Sequence, residues 1–262
     1  ITIPIPWSIN NLLPIVAPGW ISIPVKNLPI CETNLAKNNN LCLYKKCDFL
    51  VCQTSDAKAY FPKSIQKKTK IILNPIESDL PEVWSGKRRK EVVNFCRLNP
   101  QKNLKLLIDA FREFANIYTD FHLTIYGNGE LRDSLQQYIN ENNLEDKITL
   151  HPAIKNVHEK IKDSYMFVSS SDFEGLSNSM LEAMAMGIPT ICTDCPCGGA
   201  RMVINNKKNG ILVPVQDKKA LIDAMIWVVM NNDMAQKMAY EGSKIREKLH
   251  QDKIVQEWEE LI

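Results

Sequence analysis

From Cys47 onward, short β-rich runs alternate with amphipathic helical runs, and this alternation constrains the fold more than any other feature of the chain. Strands separated by helices pair in parallel, because each crossover returns the chain to the same end of the sheet, and the helices then cover both faces. The expected fold class is therefore α/β, with a parallel sheet. Residues 49–52 and 70–73 read as strands around a helix over 55–61, and Asn74-Pro75 closes that unit because the residue before a proline is pushed out of the helical region. A second series begins with a strand over 91–96, a helix over 104–118 with Leu107, Ile108, Phe111 and Phe114 on one face, and a strand over 122–126. It continues through 131–140, 148–150, 157–161 and 166–169. Ser177 is placed to cap a helix over 178–186, Gly187 to give its left-handed stop, and 188–192 reads as the next strand. Helical runs over 218–230, 234–249 and 253–261 complete the chain.

Between the two series, residues 76–90 are polar and irregular, contain Pro81 and Gly86, and read as a linker. Lysine and arginine total 32 against 30 acidic residues, a net charge of +2. That balance argues against a general nucleic-acid surface, which needs a clustered basic face. The short basic runs Lys67-Lys68 and Lys87-Arg88-Arg89-Lys90 read as solvated loops. Of the eight cysteines, Cys42, Cys47, Cys52, Cys96 and Cys192 fall in apolar patterns where the residue acts as a small hydrophobe, which suits reduced thiols in a cytoplasmic protein. Cys192, Cys195 and Cys197 are close together, but no second pair and no nearby histidine completes a tetrahedral set, so no metal is expected.

Residues 1–30 are apolar but interrupted at Pro4, Pro6, Pro14, Pro18, Pro24 and Pro29. They are not expected to form a membrane-spanning helix, which needs about 20 uninterrupted residues. Without an initiator Met, a basic leader or a cleavage pattern, they do not read as a signal peptide either, and the beginning of the chain is expected to be missing or unusual.

Ligands of an open parallel sheet bind beyond the carboxyl ends of its strands, so the loops there hold the candidates. Arg97-Leu98-Asn99-Pro100-Gln101-Lys102 leads from a strand into a helix with two cations, which suits a pyrophosphate or, equally, a solvated basic loop. Gly127-Asn128-Gly129 permits close backbone approach, but any tight strand-to-helix turn favours the same residues. The loop 169–178, rich in serine, carries Glu174, and Glu182 follows more than a turn into the next helix. Both carboxylates can face one crevice and accept hydrogen bonds from sugar hydroxyls, although periodicity alone makes Glu182 an exposed residue of an amphipathic helix.

The stretch from Glu174 through Glu182 to Pro189 resembles the E-x7-E element of family-four retaining glycosyltransferases, such as those of bacterial capsule, exopolysaccharide and lipopolysaccharide synthesis. Arg97 to Lys102 looks like the family's R-L-x-x-x-K element; Gly127 to Gly129, Asp194 to Gly199, and Asn209-Gly210-Ile211-Leu212-Val213 follow in the family's order. The resemblance covers residues 42–262. It implies a GT-B type fold, with an incomplete N-terminal Rossmann-like domain on the acceptor side over 1–78, a linker over 79–90 and a sugar-nucleotide-binding domain over 91–262, whose last helix packs back on the N-terminal part.

By the same resemblance, Glu182 would bind the donor ribose and Glu174 the transferred sugar, with Gly175, Leu176 and Ser177 beside sugar and phosphate. Arg97 and Lys102 would neutralise the departing diphosphate, so neither metal nor cofactor is expected. The implied partners are a sugar nucleotide, UDP-linked by default, and a glycan or lipid-linked acceptor, with peripheral association at the inner face of the plasma membrane. The alternative is a donor-binding module without turnover. Only 42–75 resembles the family's first domain, and Met202 stands where many relatives carry an acidic residue. His122, His151, His158 and His250 fall on the donor side and receive no catalytic role.

Overall fold

The computed structural model describes residues 20–22 as backbone, and residues 44 and 47–261. Most of the proline-broken opening, and Cys42, lie outside the described residues. Strands β1 (Trp20–Ser22), β2 (Phe49–Cys52) and β3 (Thr69–Ile71) form a parallel sheet in the order β1-β2-β3. Trp20 lies opposite Phe49, so this sheet draws on residues before 42, where no family-like element was expected. Pro18 and Pro24 forbid a long helix, but the residues between them are free of proline and suffice for a three-residue strand. The single helix expected over 55–61 is instead α1 (Ser55–Ala59) followed by α2 (Lys63–Gln66). Pro62 forces this break, since it cannot donate to the preceding turn and instead caps the second helix.

The main sheet contains β4 (Arg89–Phe95), β5 (His122–Tyr126), β6 (Ile148–His151), β7 (Ser164–Ser169), β8 (Thr190–Thr193) and β9 (Ile211–Val213). Every pairing is parallel, in the order β6-β5-β4-β7-β8-β9. Its helices are α3 (Leu104–Ile117), α4 (Arg132–Glu141), α5 (Val157–Ile161), α6 (Asn178–Ala185), α7 (Gly199–Val203), α8 (Lys218–Met230), α9 (Asn232–Ser243), α10 (Ile245–Lys248) and α11 (Gln251–Glu259). The pattern over 234–249 predicts one helix; α9 instead stops at Ser243, whose hydroxyl donates to the Tyr240 carbonyl at 2.7 Å.

Neighbouring residues of β4 point to opposite cores, as strand pleating requires. Val92 joins Leu107, Phe111, Phe114 and Met225 under α3 and α8. Val93 joins Met180, Leu181 and Met184 under α6, in a cluster that also takes in Val51 of the small sheet, Ile72 just after β3 and Ile254 of α11. Apolar packing therefore ties the C-terminal helices to the N-terminal sheet, and the Ile76 amide donates to the Leu249 carbonyl at 2.9 Å.

The basic run 87–90 is not the solvated loop the sequence suggests. Arg88 is buried and donates to Gln236 Oε1 at 2.9 Å, to the Ser164 carbonyl at 3.1 Å and to the Gly187 carbonyl at 2.5 Å. Its fork of N–H donors satisfies buried carbonyls that a single-point cation would leave unpaired, and burial lowers its pKa to about 10. Arg89 and Lys90 already belong to β4, and Arg89 pairs with Glu91 and Asp163, each at 2.9 Å.

Candidate functional site

Strands β4, β5 and β6 run outward in one direction from the middle of the sheet, and β7, β8 and β9 in the other. The order reverses between β4 and β7, where loops leaving the carboxyl ends diverge and open a crevice. Val92 lies opposite Met166 and Val93 opposite Phe167, so the loops after Phe95 and Ser169 leave the sheet side by side. These are the loops that carry Arg97 to Lys102 and Glu174.

The backbone of the first loop turns through a short 3-10 segment, Pro100–Lys102, and Asn103 at φ 43, a left-handed conformation that asparagine tolerates. That turn ties the two loops together. The Asp172 amide donates to the Gln101 carbonyl at 2.9 Å, Gln101 Nε2 donates to the Phe173 carbonyl at 2.8 Å, and Ser170 Oγ donates to the Lys102 carbonyl at 2.9 Å. Lys102 Nζ then forms an ion pair with Glu174 Oε2, with the two side chains only 14% and 19% exposed. Arg97 is exposed and makes no ion pair among the described residues.

The glycine loop packs against the first loop. The Leu98 amide donates to the Asn128 carbonyl at 2.9 Å; a Cβ on Gly127 would stand 2.0 Å from the Cys96 carbonyl oxygen, and one on Gly129 2.2 Å from that of Leu98. Both glycines are therefore required by close backbone approach. On the other side, the Glu174 amide donates to the Pro196 carbonyl at 3.2 Å, and a Cβ on Gly199 would stand 1.9 Å from the Gly175 carbonyl oxygen. Behind this junction, burial pushes the thiols of Cys96 and Cys195 up to about 12 and that of Cys192 higher still, so all three stay protonated at neutral pH.

Ser177 accepts from the Met180 amide at 3.5 Å and begins α6, the helix that carries Glu182; Gly187 ends the helical turn at φ +67, the expected left-handed stop. Glu182 is not the exposed residue that periodicity alone suggests: its side chain is 15% exposed, and its Oε2 lies 2.9 Å from His158 Nε2. His158 received no role from sequence because nothing in its neighbourhood on the chain points to Glu182; only the packing of α5 beside α6 brings them together. Met202 Sδ lies 3.3 Å from the Ser55 amide, and Arg201 spans Asp194 at 2.6 Å and Asp56 at 3.5 Å, contacts that join α7 to α1. Among the described residues no helix is long and apolar enough to cross a membrane.

A doubly covered parallel sheet with its crevice at the switch point, joined to a second Rossmann-like sheet, defines an α/β protein of the GT-B type. Residues 77–245 match the family model of group 1 glycosyl transferases, and the chain belongs to that family. A glycosyltransferase of Methanocaldococcus jannaschii of uncharacterised activity is 30% identical, over 84% of this chain and 64% of that protein. The Campylobacter jejuni N-acetylgalactosamine-N,N'-diacetylbacillosaminyl-diphospho-undecaprenol 4-alpha-N-acetylgalactosaminyltransferase is 29% identical, over 79% of this chain and 57% of that one. This chain thus spans about three fifths of the length of such relatives. Its fold matches that of Anabaena HepE in complex with UDP, at a TM-score of 0.75 and 18% identity over 84% of this chain and 66% of the other. The S. aureus TarM structure gives a TM-score of 0.75 and 22% identity, covering 84% of this chain and 44% of TarM.

Proposed function

We propose that this chain binds a nucleoside diphosphate sugar, UDP-linked, and transfers the sugar with retention of configuration to a glycan or lipid-linked acceptor in surface polysaccharide or glycolipid synthesis. The observation that carries this reading is the pairing of Lys102 with Glu174 across the loops that leave β4 and β7 at the switch point of the sheet, with Glu182 held by His158 on the helix that follows. In this reading Lys102 and Arg97 neutralise the charge of the departing diphosphate, and that stabilisation is the main catalytic contribution expected of the protein. Glu174 holds hydroxyls of the transferred sugar and Glu182 those of the ribose. The amides of Gly175 and Leu176 approach sugar and phosphate, Ser177 sets the start of α6, and Gly127, Asn128 and Gly129 hold the cation loop in place. With two cations at the diphosphate, transfer proceeds without a divalent metal, and activity is expected to survive EDTA. The UDP complexes of HepE and the acceptor in the name of the Campylobacter relative support the choice of nucleotide and of a lipid-linked acceptor.

The test is calorimetric titration of UDP, GDP and their sugar conjugates without metal, followed by transfer assays. Binding of one nucleotide, weakened in Glu182→Ala, supports the reading; no binding to any of them sinks it. A second reading, a donor-binding module without turnover, is favoured by the small three-stranded N-terminal sheet among the described residues. It predicts nucleotide binding with no transfer until more chain is supplied on the acceptor side. Peripheral membrane association follows from the lipid-linked acceptor, and equal rates on soluble and lipid-linked acceptors would count against it.

A further inference from the structure

We propose that His158 is a positioning residue that holds Glu182 in the rotamer needed for the two ribose hydroxyls, so that preference for ribose depends on a pair of side chains rather than on one carboxylate. This rests on reading the crevice as a nucleotide site. His158 Nε2 lies 2.9 Å from Glu182 Oε2, and since an ionised carboxylate only accepts, Nε2 is the donor. The ring has neighbours on three sides, Glu182 among them. Phe95 meets it edge-on with centroids 5.8 Å apart, Glu77 Oε2 lies 4.0 Å from Nδ1, and both His158 and Glu182 are 15% exposed along their side chains. Glu182 Oε1, by contrast, takes no hydrogen bond among the described residues.

This arrangement suits recognition of a vicinal diol. A free glutamate side chain must surrender several rotamers when it grips a ligand, which weakens binding. Here one oxygen is already engaged on the protein, and the other is left to accept from the ligand at a fixed distance and direction. The histidine comes from α5, before β7, and the glutamate from α6, after it, so the pair spans the strand that borders the switch point. Glu77 lies in the segment joining the two sheets and places a second carboxylate on the far side of the ring.

The experiment titrates the full chain with UDP and with 2′,3′-dideoxy-UDP, running the corresponding GDP pair in parallel. Wild type is expected to bind the ribonucleotide about tenfold more tightly than the dideoxy form, the scale of one charge-assisted hydrogen bond. His158→Phe should remove most of that preference while leaving dideoxy binding unchanged, and the unchanged dideoxy affinity serves as its control for folding. His158→Gln, whose amide places an N–H near the position of Nε2, should restore the preference in large part. A histidine that merely fills space would weaken both ligands together, or neither, and either result overturns the proposal. If wild type prefers the ribonucleotide and His158→Phe keeps that preference, only the positioning role falls. If wild type binds neither ligand, the nucleotide reading fails and takes this proposal with it.

Discussion

Glu174 and Glu182 both follow β7 along the chain, but the protein holds their carboxylates differently. Glu174 sits on a loop, and its carboxylate is neutralised by Lys102, which belongs to the loop after β4. Glu182 sits on a helix, and its carboxylate is held by a hydrogen bond from His158. The first arrangement is a contact between charges that an anionic ligand would compete for: under the proposed function, a diphosphate would draw Lys102 away and leave Glu174 free for sugar hydroxyls. The second engages one carboxylate oxygen and keeps the other ready. One end of the crevice is therefore expected to respond to the ligand's charge, the other to its shape.

Breaking one side while sparing the other tests this contrast. The largest effect is expected from Gly199→Ala. Its Cβ would meet the Gly175 carbonyl oxygen at 1.9 Å, backbone against backbone, so the loop carrying Glu174 must shift. A loss of about 3 kcal/mol of stability in urea unfolding is expected from such overpacking, while Glu182 and His158 stay paired. Next comes Lys102→Ala, which removes the cation and leaves the partly buried Glu174 unpaired. UDP binding should weaken by about 2 kcal/mol, or about thirtyfold, in calorimetry, with preference for ribose over dideoxyribose retained. Loss of that preference as well would mean that the two ends are coupled.

Glu182→Ala should show the opposite pattern. UDP affinity should fall by about 1.4 kcal/mol, or about tenfold, ribose preference should disappear, and the salt dependence of binding should stay as in wild type. The smallest effect belongs to Arg97→Ala. Its guanidinium is exposed and unpaired, so its loss should cost UDP about 0.5 kcal/mol at ~0.1 M salt, growing as salt is lowered, with no change in stability. An equal cost at high and low salt would show that Arg97 acts through direct contact in a shielded site.

The strand and helix alternation could be read along the chain because side-chain periodicity is local, and so could the cap at Ser177 and the left-handed stop at Gly187. The basic run around Arg88 misled for the opposite reason. A charged run usually means solvent, and only distant partners at Ser164, Gly187 and Gln236 make Arg88 a buried one. The same holds for β1: a three-residue strand between prolines has almost no pattern of its own and becomes a strand by pairing with β2.

By itself the sequence determined the α/β class and, through the resemblance carried by Arg97, Lys102, Glu174 and Glu182, the residues on which to look for chemistry. Those are properties of spacing and residue type, which survive in one dimension. The tertiary structure alone decided that β4 pairs with β7, bringing Lys102 to Glu174 across 72 residues of chain, and that α5 lies beside α6, bringing His158 to Glu182 across 24. An ion pair or a shared hydrogen bond depends on separation in space, and in a parallel sheet the order of strands places loops side by side that are far apart along the chain.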